Sequence, residues 1–370
     1  LKNRKFLLLF ALLLTLGMVL AACGSSGDDE TKGNDSKSED DASSEGASDF
    51  SAAMVTDVGG VDDKSFNQSA WEGLKAWGKE HDLTKGNGFD YAQSDDKSQY
   101  MPNLTRLVKQ KYNLIFGIGF KLKEDITKVS KQYPDTHFAI VDDVVEQPNV
   151  ASVTFKEHQG SFLVGVAAAK KTKSNKVGFV GGVDSPLINK FESGFIAGVK
   201  SVNPDIEVEV QYAESFGAAD KGKLIASNMY NNGIDVIYHA SGATGNGVFA
   251  QAKDIKQNNP DQDVWVIGVD RDQYAEGQID DYNVTLTSMV KRVDIAVQDL
   301  ANKSMNGEFP GGEILEYGLE DEAVSVAMTN KEAMTDDIVK AVEEWKEKIV
   351  NGEVEVPKTR EETDAFLKAL

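Results

Sequence analysis

From Phe50 onward the chain alternates short apolar runs with amphipathic runs of helix length, and this alternation limits the possible folds more than any other feature. Apolar runs at 52–55, 91–93, 114–117, 138–141 and 150–155 are followed by a second series at 177–180, 206–212, 236–238 and 264–269. Helix-length segments lie between them, at 68–81, 99–111, 121–132, 158–170 and 187–202. Near-continuous apolar strands separated by helices predict α/β architecture, with mostly parallel sheets covered by helices on both faces. Roughly 320 residues exceed what one core holds comfortably, so two such lobes are expected. Strand-like pieces at 282–289 and 323–329, together with 150–155, would carry the chain between the lobes three times and form a three-strand hinge beside a cleft. The last stretch, 331–370, reads as a charged helix, a break at Pro357 and a short terminal helix. The expected boundaries are 50–157 plus about 290–320 for the N-terminal lobe. The C-terminal lobe takes 158–289 plus about 321–357, and 358–370 forms a tail helix.

The N-terminal region has a different character. Lys2, Arg4 and Lys5 precede a charge-free apolar run at 6–20, closed by Leu20-Ala21-Ala22-Cys23. This order is that of a secretory signal, and the run falls short of the roughly 20 residues a spanning helix needs. Cys23, the sole cysteine, resembles the lipobox cysteine of bacterial lipoproteins. Residues 1–22 are therefore expected to be a signal peptide, and Cys23 a lipidated anchor on the outer face of the cell membrane. With one thiol, neither an intramolecular disulfide nor a cysteine metal site can form. Residues 24–49 carry nine carboxylates against Lys32 and Lys37 and almost no apolar surface. Their composition is that of a self-repelling linker between membrane and domain. They account for a net seven of the 21 negative charges, and the rest is spread over the remaining chain. No basic footprint for nucleic acid is present.

Chemistry concentrates at strand ends. Asp57 follows the run 52–55 and opens a loop with Gly59, Gly60, Asp62 and Asp63 that leads to Phe66 and Asn67 at a helix start. Asp142 and Asp270 each terminate an apolar strand in the same manner. In open α/β proteins ligands sit at the carboxyl ends of strands and against the helix N-termini that follow. Asp57, Asp62 and Asp63 would repel a phosphate, and carboxylates accept hydrogen bonds from hydroxyl and amino groups. An aromatic beside them suits a flat, polar, uncharged ligand. Gly217-Ala-Ala-Asp-Lys-Gly222-Lys223-Leu224 nearly matches a phosphate-binding loop, but Leu224 stands where a magnesium-binding hydroxyl is required, which argues against nucleotide hydrolysis. Phe216, just before it, is a second loop aromatic at a strand-to-helix junction. The glycines of Ser241-Gly242-Ala-Thr-Gly245-Asn-Gly247 would admit a ligand close to the backbone, although their spacing is not a dinucleotide fingerprint. His81, His137, His158 and His239 are scattered, so no metal site is expected. No nucleophile elbow appears. Lys291, read as lying just past a strand at 284–288, would enter a helix N-terminus, where the macrodipole disfavours a cation.

Several of these segments together resemble the basic-membrane-protein family of lipoproteins, whose members include purine nucleoside receptors of ABC transporters. The residues carrying the resemblance are 54–71, 150–162, Val177-Gly-Phe-Val-Gly-Gly182, 241–247 and Val266-Ile-Gly-Val-Asp270. The resemblance implies a two-lobed type I periplasmic-binding-protein fold that closes on a nucleoside and then docks on an ABC permease. It places Phe66 and Phe216 on the two faces of the base, with Asp57, Asn67 and Asp142 as hydrogen-bonding groups of the first lobe. Gly242, Asp270 and Lys291 would contact the ribose, and Gly119 and Phe120 would lie near the base edge. It implies no cofactor, no metal, no catalysis and a monomer. A sugar-type ligand or a sensor on the same fold is the alternative, and a nucleoside-cleaving enzyme is a further one.

Overall fold

The structure, a computed structural model, describes residues 50–370. The expected signal peptide, Cys23 and the expected acidic linker lie outside the described residues. The first lobe begins with β1 (Ala52–Val55), α1 (Phe66–Glu80), the two-residue β2 (Thr84–Lys85) and β3 (Gly88–Ala92). It continues through α2 (Tyr100–Lys109), β4 (Leu114–Ile118), α3 (Lys123–Gln132), β5 (His137–Val141) and β6 (Val150–Phe155). The chain then crosses into α4 (Glu157–Lys171), β7 (Lys176–Gly181), α5 (Pro186–Val202), β8 (Glu207–Tyr212) and α6 (Ala219–Asn231). Next come β9 (Val236–Ala240), α7 (Gly245–Asn258), β10 (Trp265–Asp270), the small pair β11 (Gln278–Ile279) and β12 (Tyr282–Asn283), and β13 (Thr285–Lys291). It returns for α8 (Val293–Met305) and β14 (Ile314–Tyr317), and crosses once more to β15 (Val324–Val326), α9 (Asp336–Val350) and α10 (Arg360–Ala369).

The first sheet has the order β14-β6-β5-β4-β1-β3-β2, and every pair in it is parallel. The second, β15-β13-β10-β9-β7-β8, is parallel except where β15 meets β13. The period of two in each strand feeds both faces. In β1, Ala52 and Met54 join the cluster that holds Trp71, Leu74 and Trp77 of α1. Ala53 and Val55 join Tyr100, Leu104 and Leu107 of α2 instead. In the second lobe, α6 and α7 cover one face, where Val180, Ile237 and Val266 meet Met229 and Phe249. Helices α4 and α5 cover the other.

The three crossings follow β6, β13 and β14, so the third begins at a strand that sequence reading missed. β14 is a short edge strand with an exposed Ile314, and it lacks the continuous apolar run that identifies a buried strand. The run at 282–289 is also divided, into β12 and β13.

Helix α4 is apolar nearly all round because it is covered on several sides, by α5, α9 and β13. Its contact with α5 is backbone to backbone: a Cβ on Gly198 would stand 2.0 Å from the carbonyl oxygen of Phe162. Gly198→Ala is therefore expected to force the helices apart and to cost about 1–3 kcal/mol, measured as a lowered urea midpoint. An unchanged midpoint would show that the pair has slack.

Candidate ligand-binding cleft

The carboxyl ends of β1, β4 and β5 in one sheet and of β9, β10 and β13 in the other face a common cleft, with the start of α5 closing one side. The space between these walls is about 500 Å³, counting what opens to solvent. Asp57, Phe66, Asn67, Asp142, Phe216, Gly242, Asp270 and Lys291 all line it.

The first wall is the loop from Asp57 to Asn67. Asp63 organises it: its carboxylate accepts the backbone N–H groups of Ser65, Asn67 and Gln68 at 2.8–3.0 Å. Asp63, not Ser65, thereby satisfies the orphan donors at the start of α1. Burial raises its pKa to about 6, against the lowering effect of those three bonds. Asn67 Nδ2 donates to Asp57 Oδ1 at 2.8 Å and to Asp63 Oδ2 at 3.1 Å. The Asn67 side chain is thus a brace that aims Asp57. Burial also raises the pKa of Asp57, while the Asn67 and Gly59 hydrogen bonds oppose it. Phe66 opens α1 and presents its ring to the cavity.

The floor is ionic. Lys291 is the last residue of β13, so it belongs to the strand, and helix α8 begins two residues later. The expectation that it enters a helix N-terminus is corrected, and the reason for a cation here is local. Its ammonium is 2.7 Å from Asp142 Oδ2, 3.7 Å from Asp270 Oδ1 and 4.0 Å from Glu157 Oε1. Burial alone would lower its pKa, but Asp142, Asp270 and Glu157 outweigh it and hold the lysine protonated far above the neutral range. The same charge lies 4.7 Å from the centre of the Phe66 ring. Glu157, the first residue of α4, also receives Lys190 at 3.0 Å. This second ion pair lies beside the first crossing between the lobes.

Asp142 and Asp270 share an unusual backbone, with φ of +71° and +66°. Aspartate tolerates this left-handed region better than most residues, and the turn swings each carboxylate out of its sheet into the cleft. Asp270 Oδ2 accepts from Ser65 Oγ of the opposite lobe at 2.5 Å. Asp142 Oδ1 is buried without a hydrogen-bond partner among the described residues. It is an acceptor available for a donor placed in the cavity.

The aromatic walls come from both lobes. Phe216 lies against Gly182, where a Cβ would stand 2.2 Å from its Cε1. Its ring meets that of Phe120 edge-on, with centroids 6.2 Å apart. Phe120 is therefore a full member of the wall. Sequence reading put it near the base edge but missed Leu187, Ile188 and Phe191, because residues on the first turns of an amphipathic helix look like ordinary core. Glu157 and Ser65 carried no distinguishing signal either: one reads as a routine acid at a helix start, the other as a cap.

Comparison with known proteins agrees with this fold. Residues 50–360 match the family model of PnrA-like ABC transporter substrate-binding proteins. A Listeria innocua protein named CD4+ T-cell-stimulating antigen is 53% identical, over 96% of this chain and 99% of its own length. The ABC transporter nucleoside-binding protein BmpA of Lactococcus lactis is 46% identical, over 84% of this chain and 89% of its own. Among solved structures, an ABC transporter solute-binding protein from Aeropyrum pernix K1 superposes with a TM-score of 0.76 at 26% identity, covering 86% of this chain and 98% of that one. A two-lobed α/β frame, a cleft at the strand ends and a family match spanning nearly every described residue lead to one assignment: the chain belongs to the PnrA-like, basic-membrane-protein family of ABC transporter substrate-binding proteins, which deliver a ligand to a permease.

Proposed function

We propose that the cleft captures a purine nucleoside and hands it to an ABC permease, without chemical change to the ligand. The observation that carries this reading is one cavity lined by Phe66 of the first lobe and Phe216 of the second, together with Asp57, Asp142, Asp270 and Lys291. A planar base stacks between rings at a gain of about 1–3 kcal/mol for each face. The unpartnered Oδ1 of Asp142 and the buried oxygens of Asp57 and Asp270 accept from amino, imino or hydroxyl groups. The Lactococcus lactis relative, a nucleoside-binding protein by name, supports the same ligand class. In this reading Cys23 carries the lipid anchor, the protein works as a monomer on the outer face of the cell membrane, and the acidic linker gives it reach. Among the described residues no helix is long and apolar enough to cross a membrane.

Calorimetry against a panel of inosine, guanosine, adenosine, their monophosphates and simple sugars tests the reading. Nucleosides are expected to bind and the phosphates to fail, because the cavity wall carries Asp57, Asp63, Asp142 and Asp270 against Lys291. Binding of a sugar with no response to any nucleoside would overturn it. The pH dependence has a definite sign. Asp63 titrates near 6, and its protonated form surrenders acceptor capacity needed by the N–H groups of its loop. Nucleoside affinity is therefore expected to be full above that value and to fall as the pH drops through it. An affinity flat between about pH 7.5 and 5 would remove Asp63 from the binding-competent loop.

A further inference from the structure

Gln273 is not part of the cavity wall, yet it is almost wholly buried and touches both lobes. Its Oε1 accepts the backbone N–H of Val269 at 2.9 Å and stands 2.9 Å from His239 Nε2. Its Nε2 donates to the carbonyl oxygen of Lys64, across the cleft, at 3.0 Å. The amide has no choice of orientation: the Val269 N–H can only donate, so Oε1 faces it and Nε2 is left toward Lys64. An acceptor at Oε1 in turn places the His239 proton on Nε2. Burial pushes the pKa of that imidazole down to about 4, which keeps it neutral. Its Nδ1 is then the acceptor for Ser241 Oγ, at 3.4 Å, and Ser241 lines the cavity. One chain of contacts runs from the Lys64 backbone to the hydroxyl of Ser241, a residue of the cavity wall.

Lys64 takes this bond with φ at +64°, an uncommon conformation for a side-chain-bearing residue. Its neighbour Ser65 makes the bond to Asp270. Two adjacent residues of the first lobe are thus held by the second. The Lys291–Asp142 pair also joins the lobes and is equally buried, but other crossing contacts are more exposed. The Arg271–Glu72 pair, at 3.0 Å, leaves 27% and 37% of its side chains exposed, and such pairs contribute little.

We propose that Gln273 is a positioning residue that clasps the lobes together by gripping the Lys64 backbone, and so sets how long a captured ligand is retained. The proposal rests on the ligand-capture reading above. Gln273→Glu tests it, because one oxygen still serves Val269 and His239 while the other confronts the Lys64 carbonyl. Gln273→Asn is the second variant, retaining the amide but withdrawing it by one methylene. Stopped-flow release of inosine is expected to quicken by about tenfold or more in both, with association within about threefold of wild type. Thermal melts of the ligand-free variants serve to confirm that each is folded. Release at the wild-type rate in the folded variants, or an effect confined to association, would overturn the clasp. A wild type that binds no nucleoside defeats the functional reading instead. The clasp is then judged by the distance between fluorophores placed on the two lobes, which both variants must lengthen and which an unchanged distance would refute.

Discussion

Lys291→Met is expected to lose nucleoside binding entirely and to destabilise the protein by about 3–5 kcal/mol, because removing one member of a buried ionic cluster strands the others. The side chain of Lys291 is 2% exposed, and Asp142, Asp270 and Glu157 all depend on it. Methionine fills the volume but leaves these acids facing one another, with Lys190 as the cation that remains on Glu157. Neutralising the nearest acid should recover part of the loss, so Lys291→Met with Asp142→Asn is expected to be more stable than Lys291→Met alone. Urea titration of the four forms gives the coupling directly. Strict additivity would mean that the 2.7 Å pair is energetically silent, and the account of the cavity floor would fail with it.

Phe66→Ala carries the second large expectation. The ring is offered as one face of the base clamp, worth about 1–3 kcal/mol in stacking. It also lies 4.7 Å from the Lys291 ammonium, so truncation exposes that charge to the cavity. Inosine affinity should fall at least about tenfold, which corresponds to roughly 1.4 kcal/mol, while the ligand-free fold persists because Phe66 sits at the helix end and not in the core beneath it. Phe66→Tyr, which retains the aromatic face, should keep most of the affinity. Calorimetry on the three proteins decides the matter, and equal binding by Phe66→Ala would dismiss stacking as the source of affinity.

Both expectations draw on residues that the sequence marks to different degrees. Asp57, Asp142 and Asp270 are visible because each interrupts an apolar run where a strand must end. Phe66 and Phe216 are visible because an aromatic in a polar loop lacks a core to fill. Lys291 could be singled out only as an oddity. A cation needs carboxylates near it, and these lie 149, 134 and 21 positions away in the chain. Glu157 and Gln273 were invisible for the same reason. Each has a role only toward partners supplied by another strand, helix or lobe.

The sequence by itself therefore determined the strand-helix alternation, the two-lobed α/β class and the strand-end acids, because hydrophobic periodicity and chain breaks are local properties. Tertiary structure alone decided which cation serves those acids, which backbone carbonyl Gln273 holds, and that β14 forms an edge of the first sheet. These depend on groups brought together by chain crossings, and the energy that selects them comes from desolvation and charge pairing across long sequence separations, which no local pattern records.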